Sequence, residues 1–149
     1  MAKQASETLS DDDLSQDQYT AIAAFRYELR RFLAFSEAAA ASVGLPPQQH
    51  QALLVIAGHA GPKRPTVGLI AGQLLIAAHT AAELVARMVA AGLVVKQPSA
   101  DDKRRVELSM TSRAEDLLRR LTAAHLEELK TLEPALAGAV GRLSRRRPD

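Results

Sequence analysis

The sequence predicts a mainly α-helical fold that carries one small β-hairpin. Three observations predict it. Apolar residues recur at spacings of three and four through most of the chain, and the period changes to two only between Leu93 and Met110. The aromatic complement is three Phe, two Tyr and no Trp, so Leu, Ala, Val and Ile must build the core, a composition that suits packed helices. At 149 residues, 47% of them apolar, the chain is long enough for one domain with a substantial core.

Residues 1–17 hold Glu7, Asp11, Asp12, Asp13 and Asp17 against Lys3 and show no periodicity, which reads as a disordered acidic arm. Of the net charge of +2, this arm takes −4 and leaves +6 for residues 18–149, read as a single domain. From Gln18 to about Ser42 a long helix follows from Ile22, Phe25, Leu29, Phe32, Leu33 and Ser36. Gly44 stops it. Pro46-Pro47 opens a second helix, because proline in a first turn forfeits no needed hydrogen bond, and Leu53, Leu54 and Ile56 carry that helix to about His59. Gly61-Pro62-Lys63-Arg64-Pro65 is a short connection with room for one small strand beside the hairpin.

Thr66 is placed to cap a helix over Val67 to Leu74, and a second runs from Ala78 to about Ala91. The three or four residues around Leu75 and Ile76 that separate them are the connection length of a helix-turn-helix. On the second helix Ala81, Leu84, Val85 and Met88 share one face, while His79, Ala82, Glu83, Ala86 and Ala90 share the opposite one. Gly92 ends it as a C-cap glycine. Leu93 to Gln97 and Arg105 to Met110 then read as strands around a turn-rich tip bearing Asp101, Asp102, Lys103, Arg104 and Arg105. A helix-turn-helix followed by a basic-tipped hairpin is a winged helix-turn-helix, which lays its second helix in the DNA major groove and reaches flanking backbone or minor groove with the wing.

Beyond the hairpin, Thr111 or Ser112 caps a helix reaching about Thr131, and Ser112 with Glu115 has capping-box spacing. Pro134 is expected to begin a separate last helix, striped by Leu132, Leu136, Ala139, Val140 and Leu143. Arg145-Arg146-Arg147 reads as a solvated end. A winged helix needs only about 70–90 residues, here about 45–111, so the helices at about 18–43 and 112–146 are surplus to it. Their apolar stripes need a cover. A second copy of the chain is the economical one, since two-fold homodimers are the commonest assembly and match palindromic operators.

Asp102-Lys103-Arg104 followed after six residues by Thr111 resembles the D-x-R…[LM]-T signature of MarR-family transcription regulators. HTAAELVARMVAAGLV resembles that family's recognition helix and its exit, and GLPPQQHQALLVIAGHAG at 44–61 its second helix. Four positions depart from the pattern. Leu75 stands in place of a turn glycine, Ala77 of a capping Ser, Ala86 of an Asp and Ala114 of a Gly. The resemblance implies dimerisation through the terminal helices, insertion of Arg104 into the minor groove, and repression by occupying a palindrome. It also implies a small amphipathic or aromatic effector between the dimerisation helices and the DNA lobe, near Phe32, Phe35, His50 and Leu54, which are equally ordinary core residues.

The DNA-facing candidates are His79, Thr80, Glu83 and Arg87 on the second helix of the pair, Lys103, Arg104 and Arg105 on the wing, and Lys63 and Arg64 in the earlier loop. Asp102 is expected to orient the Arg104 guanidinium through a bidentate pair. The helix face is thin in hydrogen-bonding groups, so a winged helix that binds protein and no longer reads DNA is the alternative. Catalysis is excluded. The four histidines are scattered, His79 and Glu83 make two metal ligands and not a site, and there is no glycine-rich phosphate loop, G-x-S-x-G or H-E-x-x-H. No metal or cofactor is expected. With no cysteine there is neither disulfide nor thiol switch. The absence of a signal-like start and of a long apolar run makes a cytoplasmic protein, without a membrane partner, the expectation.

Overall fold

The computed structural model describes residues 14–144. Most of the acidic arm and the three terminal arginines lie outside them. The elements run α1 (Gln16–Ser42), α2 (Pro47–Gly58), α3 (Val67–Leu74), α4 (Ala78–Ala90), β1 (Val94–Pro98), β2 (Val106–Met110) and α5 (Ser112–Ser144). Helix α1 starts two residues earlier than expected, which moves Asp17 from the arm into its first turn. A reciprocal cap explains the shift. The Ser15 backbone N–H donates to the Gln18 side chain at 2.7 Å, and the Gln18 N–H returns to the Ser15 hydroxyl at 3.4 Å.

The described residues fall into two compact units, one spanning 35–126 and one made of 14–34 with 127–144. The core of the larger unit is formed by Leu53 and Ile56 of α2, Ile70 of α3, Ala81, Leu84, Val85 and Met88 of α4, Val94 and Leu108 of the hairpin, and Leu118 and Leu121 of α5. The α4 residues in that core are the four that helical periodicity assigned to one face. In the smaller unit Ala21, Leu132 and Ala139 are buried, yet Tyr19, Ile22, Leu33 and Val140 are each about half exposed. Its apolar stripes are therefore left largely uncovered by the chain itself.

Strands β1 and β2 pair antiparallel with Val94 opposite Met110 and Pro98 opposite Val106. A third segment joins the wing at its root, through a single bridge between Thr66 and Glu107 and a hydrogen bond from Leu108 N–H to Pro65 O at 2.8 Å. The small strand expected in the connection after α2 is thus reduced to an isolated bridge at Thr66, and the wing sheet has two strands. A Cβ at Gly61 would come within 2.9 Å of the His59 ring and push it away from Lys63 O, to which its Nε2 donates at 2.9 Å.

Two expectations are corrected at α5. Helix α5 is continuous from Ser112 to Ser144 with Pro134 inside it, so there is no separate last helix. Proline removes one backbone hydrogen bond and strains the preceding turn, but Leu132 and Ala139 on either side are buried, and that packing carries the helix through. The cap is Thr111, whose hydroxyl accepts the Ala114 N–H at 3.3 Å, so Ala114 occupies the third helical position and the Ser112–Glu115 box does not form.

The turn between α3 and α4 concentrates strain on one residue. Leu75 has φ 56° and ψ 42°, the left-handed conformation that costs a residue with a Cβ roughly 1–2 kcal/mol. Ile76 N–H closes the turn on Ala71 O at 3.1 Å, the same five-residue reach that Leu93 N–H makes to Met88 O beyond Gly92, where glycine fills the left-handed place at φ 71°. Since the Leu75 side chain is 92% exposed, little burial is lost on removing it. Leu75→Gly should stabilise the protein by about 0.5–1 kcal/mol, after the extra chain entropy of glycine is counted. Thermal unfolding checks this, and a lowered midpoint would contradict it.

Candidate nucleic-acid interface

Helices α3 and α4 meet at a bend of 115°, and the face of α4 opposite the core is free. His79, Glu83 and Arg87 are exposed on α4 beside Ala82, Ala86 and Ala90, and Thr80 is half-buried. Helix α4 begins without a side-chain cap, because Ala77 has no group to bond the first-turn amides. Its other end is clamped. The Thr111 hydroxyl donates to Gly92 O at 2.7 Å, Thr111 N–H donates to Leu93 O at 3.0 Å, and the Arg113 guanidinium donates to Ala91 O. The carbonyls of Ala91, the C-cap of α4, and of the two residues after it are thus satisfied from the start of α5, with a cation where the helix dipole favours one. Thr111, singled out by the signature, acts on the scaffold. Arg113 was missed by sequence reasoning, and its position just after the signature threonine offered no signal for this contact.

The wing tip is built by backbone. Ser99 is buried, its N–H donates to Arg105 O at 2.9 Å, and Arg105 N–H donates to Asp102 O at 3.0 Å. The Asp102 carboxylate accepts the Arg104 backbone N–H at 3.0 Å, so it shapes the turn and does not pair with the Arg104 guanidinium. An aspartate two residues before its target reaches the amide more easily than a long, solvated side chain. Among the described residues the ion pairs are Arg31–Glu28, Arg119–Asp116 and Lys130–Glu127, none of them on the wing. Lys103 and Arg104 are exposed at the tip and Arg105 is half-buried. Lys63 and Arg64 are exposed in the loop after α2.

Arg104 and Arg105 are brought together with Lys96 of β1, Ala82 of α4 and Gly68 of α3 as walls of one groove of about 440 Å³. Lys96 was also missed. Its place in an alternating strand made it an ordinary solvated lysine, and only the fold sets it beside the tip arginines.

The four effector candidates do not share one cavity. His50 is buried at 1% exposure and its ring lies 5.0 Å from that of His125, against which Phe35 packs edge-on at 5.3 Å. Leu54 instead lines a different groove with Val55, His59, Leu69 and Gln73. Phe32 belongs to the smaller unit and is half-buried. The histidines, scattered in sequence, therefore include one contacting pair. His125 donates from Nδ1 to Leu121 O at 2.6 Å and meets the Ser36 hydroxyl through Nε2 at 2.8 Å, whereas His50 Nε2 is buried without a hydrogen-bond partner. Among the described residues no three His, Asp or Glu side chains converge as metal ligands. Nor is any single helix among them long and apolar enough to cross a membrane.

Burial, and then the neighbouring His125 ring, push the His50 imidazole below its ordinary value of 6.5. The folded protein resists the proton that the unfolded chain accepts, so this contribution to stability is full above that value and is lost as pH falls below it. The unfolding midpoint should therefore drop between about pH 7.5 and about pH 5.5. His50→Leu, which removes the orphaned nitrogen at similar volume, should flatten that dependence without loss at the upper end. An unchanged pH slope in the variant would contradict this.

Residues 43–105 match the model of the MarR family. No curated protein matches the chain in sequence. Among solved structures it is similar to MepR, a transcription regulator of the Staphylococcus aureus multidrug efflux pump MepA, with 19% identity, a TM-score of 0.65, and coverage of 78% of this chain and 82% of that one. A complex of S. aureus MepR with DNA gives 20% identity and a TM-score of 0.64 over the same shares, 78% and 82%. RV1404 from Mycobacterium tuberculosis gives 20% identity and a TM-score of 0.65 over 81% and 82% of the two chains. At these identities the likeness is one of fold.

Proposed function

We propose that this chain, which carries a MarR-family winged helix over residues 43–105, is a DNA-binding transcription regulator, and that it acts as a homodimeric repressor on a palindromic operator. The observation that carries the DNA reading is the pairing of a free α4 face with a wing whose cations have no ion-pair partner among the described residues. A charged tip without internal partners keeps its capacity for phosphate, and an arginine inserted in a narrow minor groove meets concentrated negative potential. The similar MepR, solved in complex with DNA, supports the same reading.

On α4, His79 and Glu83 supply hydrogen bonds to base edges, Glu83 suiting cytosine N4, while Ala82 and Ala86 suit thymine methyl groups. Thr80, Arg87, Lys63, Arg64 and Lys103 hold the backbone and fix the register. The homodimer reading rests on the uncovered stripes of α1 and α5, where Tyr19, Ile22, Tyr27 and Leu33 are more than half exposed. Such a surface is larger in apolar content than scattered exposed residues require. A cytoplasmic location follows from the regulatory role. The effector enters only through the family, since Phe35 and His50 pack on His125 while Leu54 lines a different groove.

Arg104 is the wing residue on which binding should depend most. Arg104→Ala should cost on the order of 1–3 kcal/mol of affinity for one operator and lower the salt slope by about one, with folding intact. An exposed arginine serving only the hairpin would change stability by at most about 1 kcal/mol and affinity not at all. Titrating both proteins at several salt concentrations separates these. Equal affinities with parallel slopes would make the wing a scaffold and favour the protein-binding alternative, to which the sparse α4 face is also suited.

A further inference from the structure

A DNA strand lying between two grooves that are both occupied has one path across the protein. With α4 in the major groove and Arg104 in the adjoining minor groove, the sugar-phosphate strand that separates those grooves must pass between α4 and the wing. The surface at that place is the groove of about 440 Å³ whose walls include Ala82, Gly68, Lys96, Arg104 and Arg105. Three of its lining side chains are cations and none is acidic. Asp101 and Asp102 are on the tip but do not line it, and Asp102 is engaged with the Arg104 amide.

We infer that this groove is the seat for backbone phosphates of the intervening strand, and that Lys96 is a phosphate-binding residue acting with Arg105. The inference rests on the DNA reading above and adds to it a residue that neither the signature nor the wing tip contains. Lys96 is exposed on β1 opposite Leu108, and Leu108 is buried and tied to Pro65 O, so the base of the lysine is fixed while its ammonium is free to meet the strand. The groove sets three like charges around one space, and their mutual repulsion is relieved by an anion placed among them. Ala82 and Gly68 keep the opposite wall low. A Cβ at Gly68 would meet only Thr66 Oγ1, at 3.8 Å, so the space there is open.

The test compares the unaltered protein with Lys96→Ala and Lys96→Arg on a duplex selected by the unaltered protein and on a scrambled duplex, across a range of salt. Lys96→Ala should lower the salt slope by about one and affinity about tenfold near 0.1 M salt, equally on both duplexes, because a phosphate contact carries no base information. Lys96→Arg should restore binding. Replacing single linkages of the duplex by neutral methylphosphonates should reveal one whose neutralisation weakens the unaltered protein but not Lys96→Ala. Wild-type binding with a parallel slope in Lys96→Ala overturns the phosphate seat alone, as does a loss confined to the selected duplex. Absence of salt-dependent binding by the unaltered protein overturns the seat together with the DNA reading. Thermal unfolding of both variants, whose changed side chain is exposed, should match the unaltered protein.

Discussion

Burial of one face of α4 is the constraint on which the rest of the interface depends. Ala81, Leu84, Val85 and Met88 are all at 1% exposure or less, so the rotation of the helix is set by core packing. Rotating α4 to present another face would expose those four, and two large aliphatic side chains and a valine returned to water cost several kcal/mol together. Everything outward follows from that: His79, Ala82, Glu83 and Ala86 face away because their neighbours cannot. The hairpin then inherits its position from the end of α4, because Gly92 turns the chain and Thr111 and Arg113 hold the carbonyls of Ala91, Gly92 and Leu93, just past the helix, from the other side of the wing. Helix α4 and the wing are in this way fixed to one another at their shared root.

The same economy explains which departures from the family pattern are tolerated. Leu75 in a left-handed turn and Ala77 without a capping oxygen each forgo a local device that stabilises a helix end. Such losses are individually about 1 kcal/mol and are outweighed by a core that unites α2, α3, α4, the hairpin and part of α5. An unusual consequence is a recognition segment rich in alanine. In the DNA-binding reading proposed above, such a face would limit direct hydrogen-bond readout and shift the burden of binding toward phosphate contacts and groove shape.

Much of this was legible in the sequence, for physical reasons that can be named. Periodicity located α3 to the residue and gave the buried face of α4, because both helices are amphipathic and bounded by strong end signals, Thr66 and Gly92. Proline misled at α5, where the rule that proline opens helices is a local preference and the packing of Leu132 and Ala139 overrides it. Two candidate caps adjacent in sequence, Thr111 and Ser112, were indistinguishable until the hydroxyl of the first proved to be shared between Ala114 and Gly92. The His50–His125 contact joins residues from α2 and α5, and the grouping of Lys96 with Arg104 and Arg105 depends on hairpin register. Neither has a local signature. The positions of wing cations were readable, but the role of Asp102 was not, since its carboxylate can reach either an amide or a guanidinium and only geometry decides.

The central claim is that α4 and the wing of two copies together read duplex DNA. Selection of bound duplexes from a random pool, followed by hydroxyl-radical footprinting of the selected sequence, tests it most directly. The account predicts an enriched inverted repeat, with two protected regions related by two-fold symmetry, separated by about one helical turn or a multiple of it, and each flanked by a protected minor groove. Failure to enrich any sequence, or a single unsymmetrical protected patch without minor-groove protection, would contradict it.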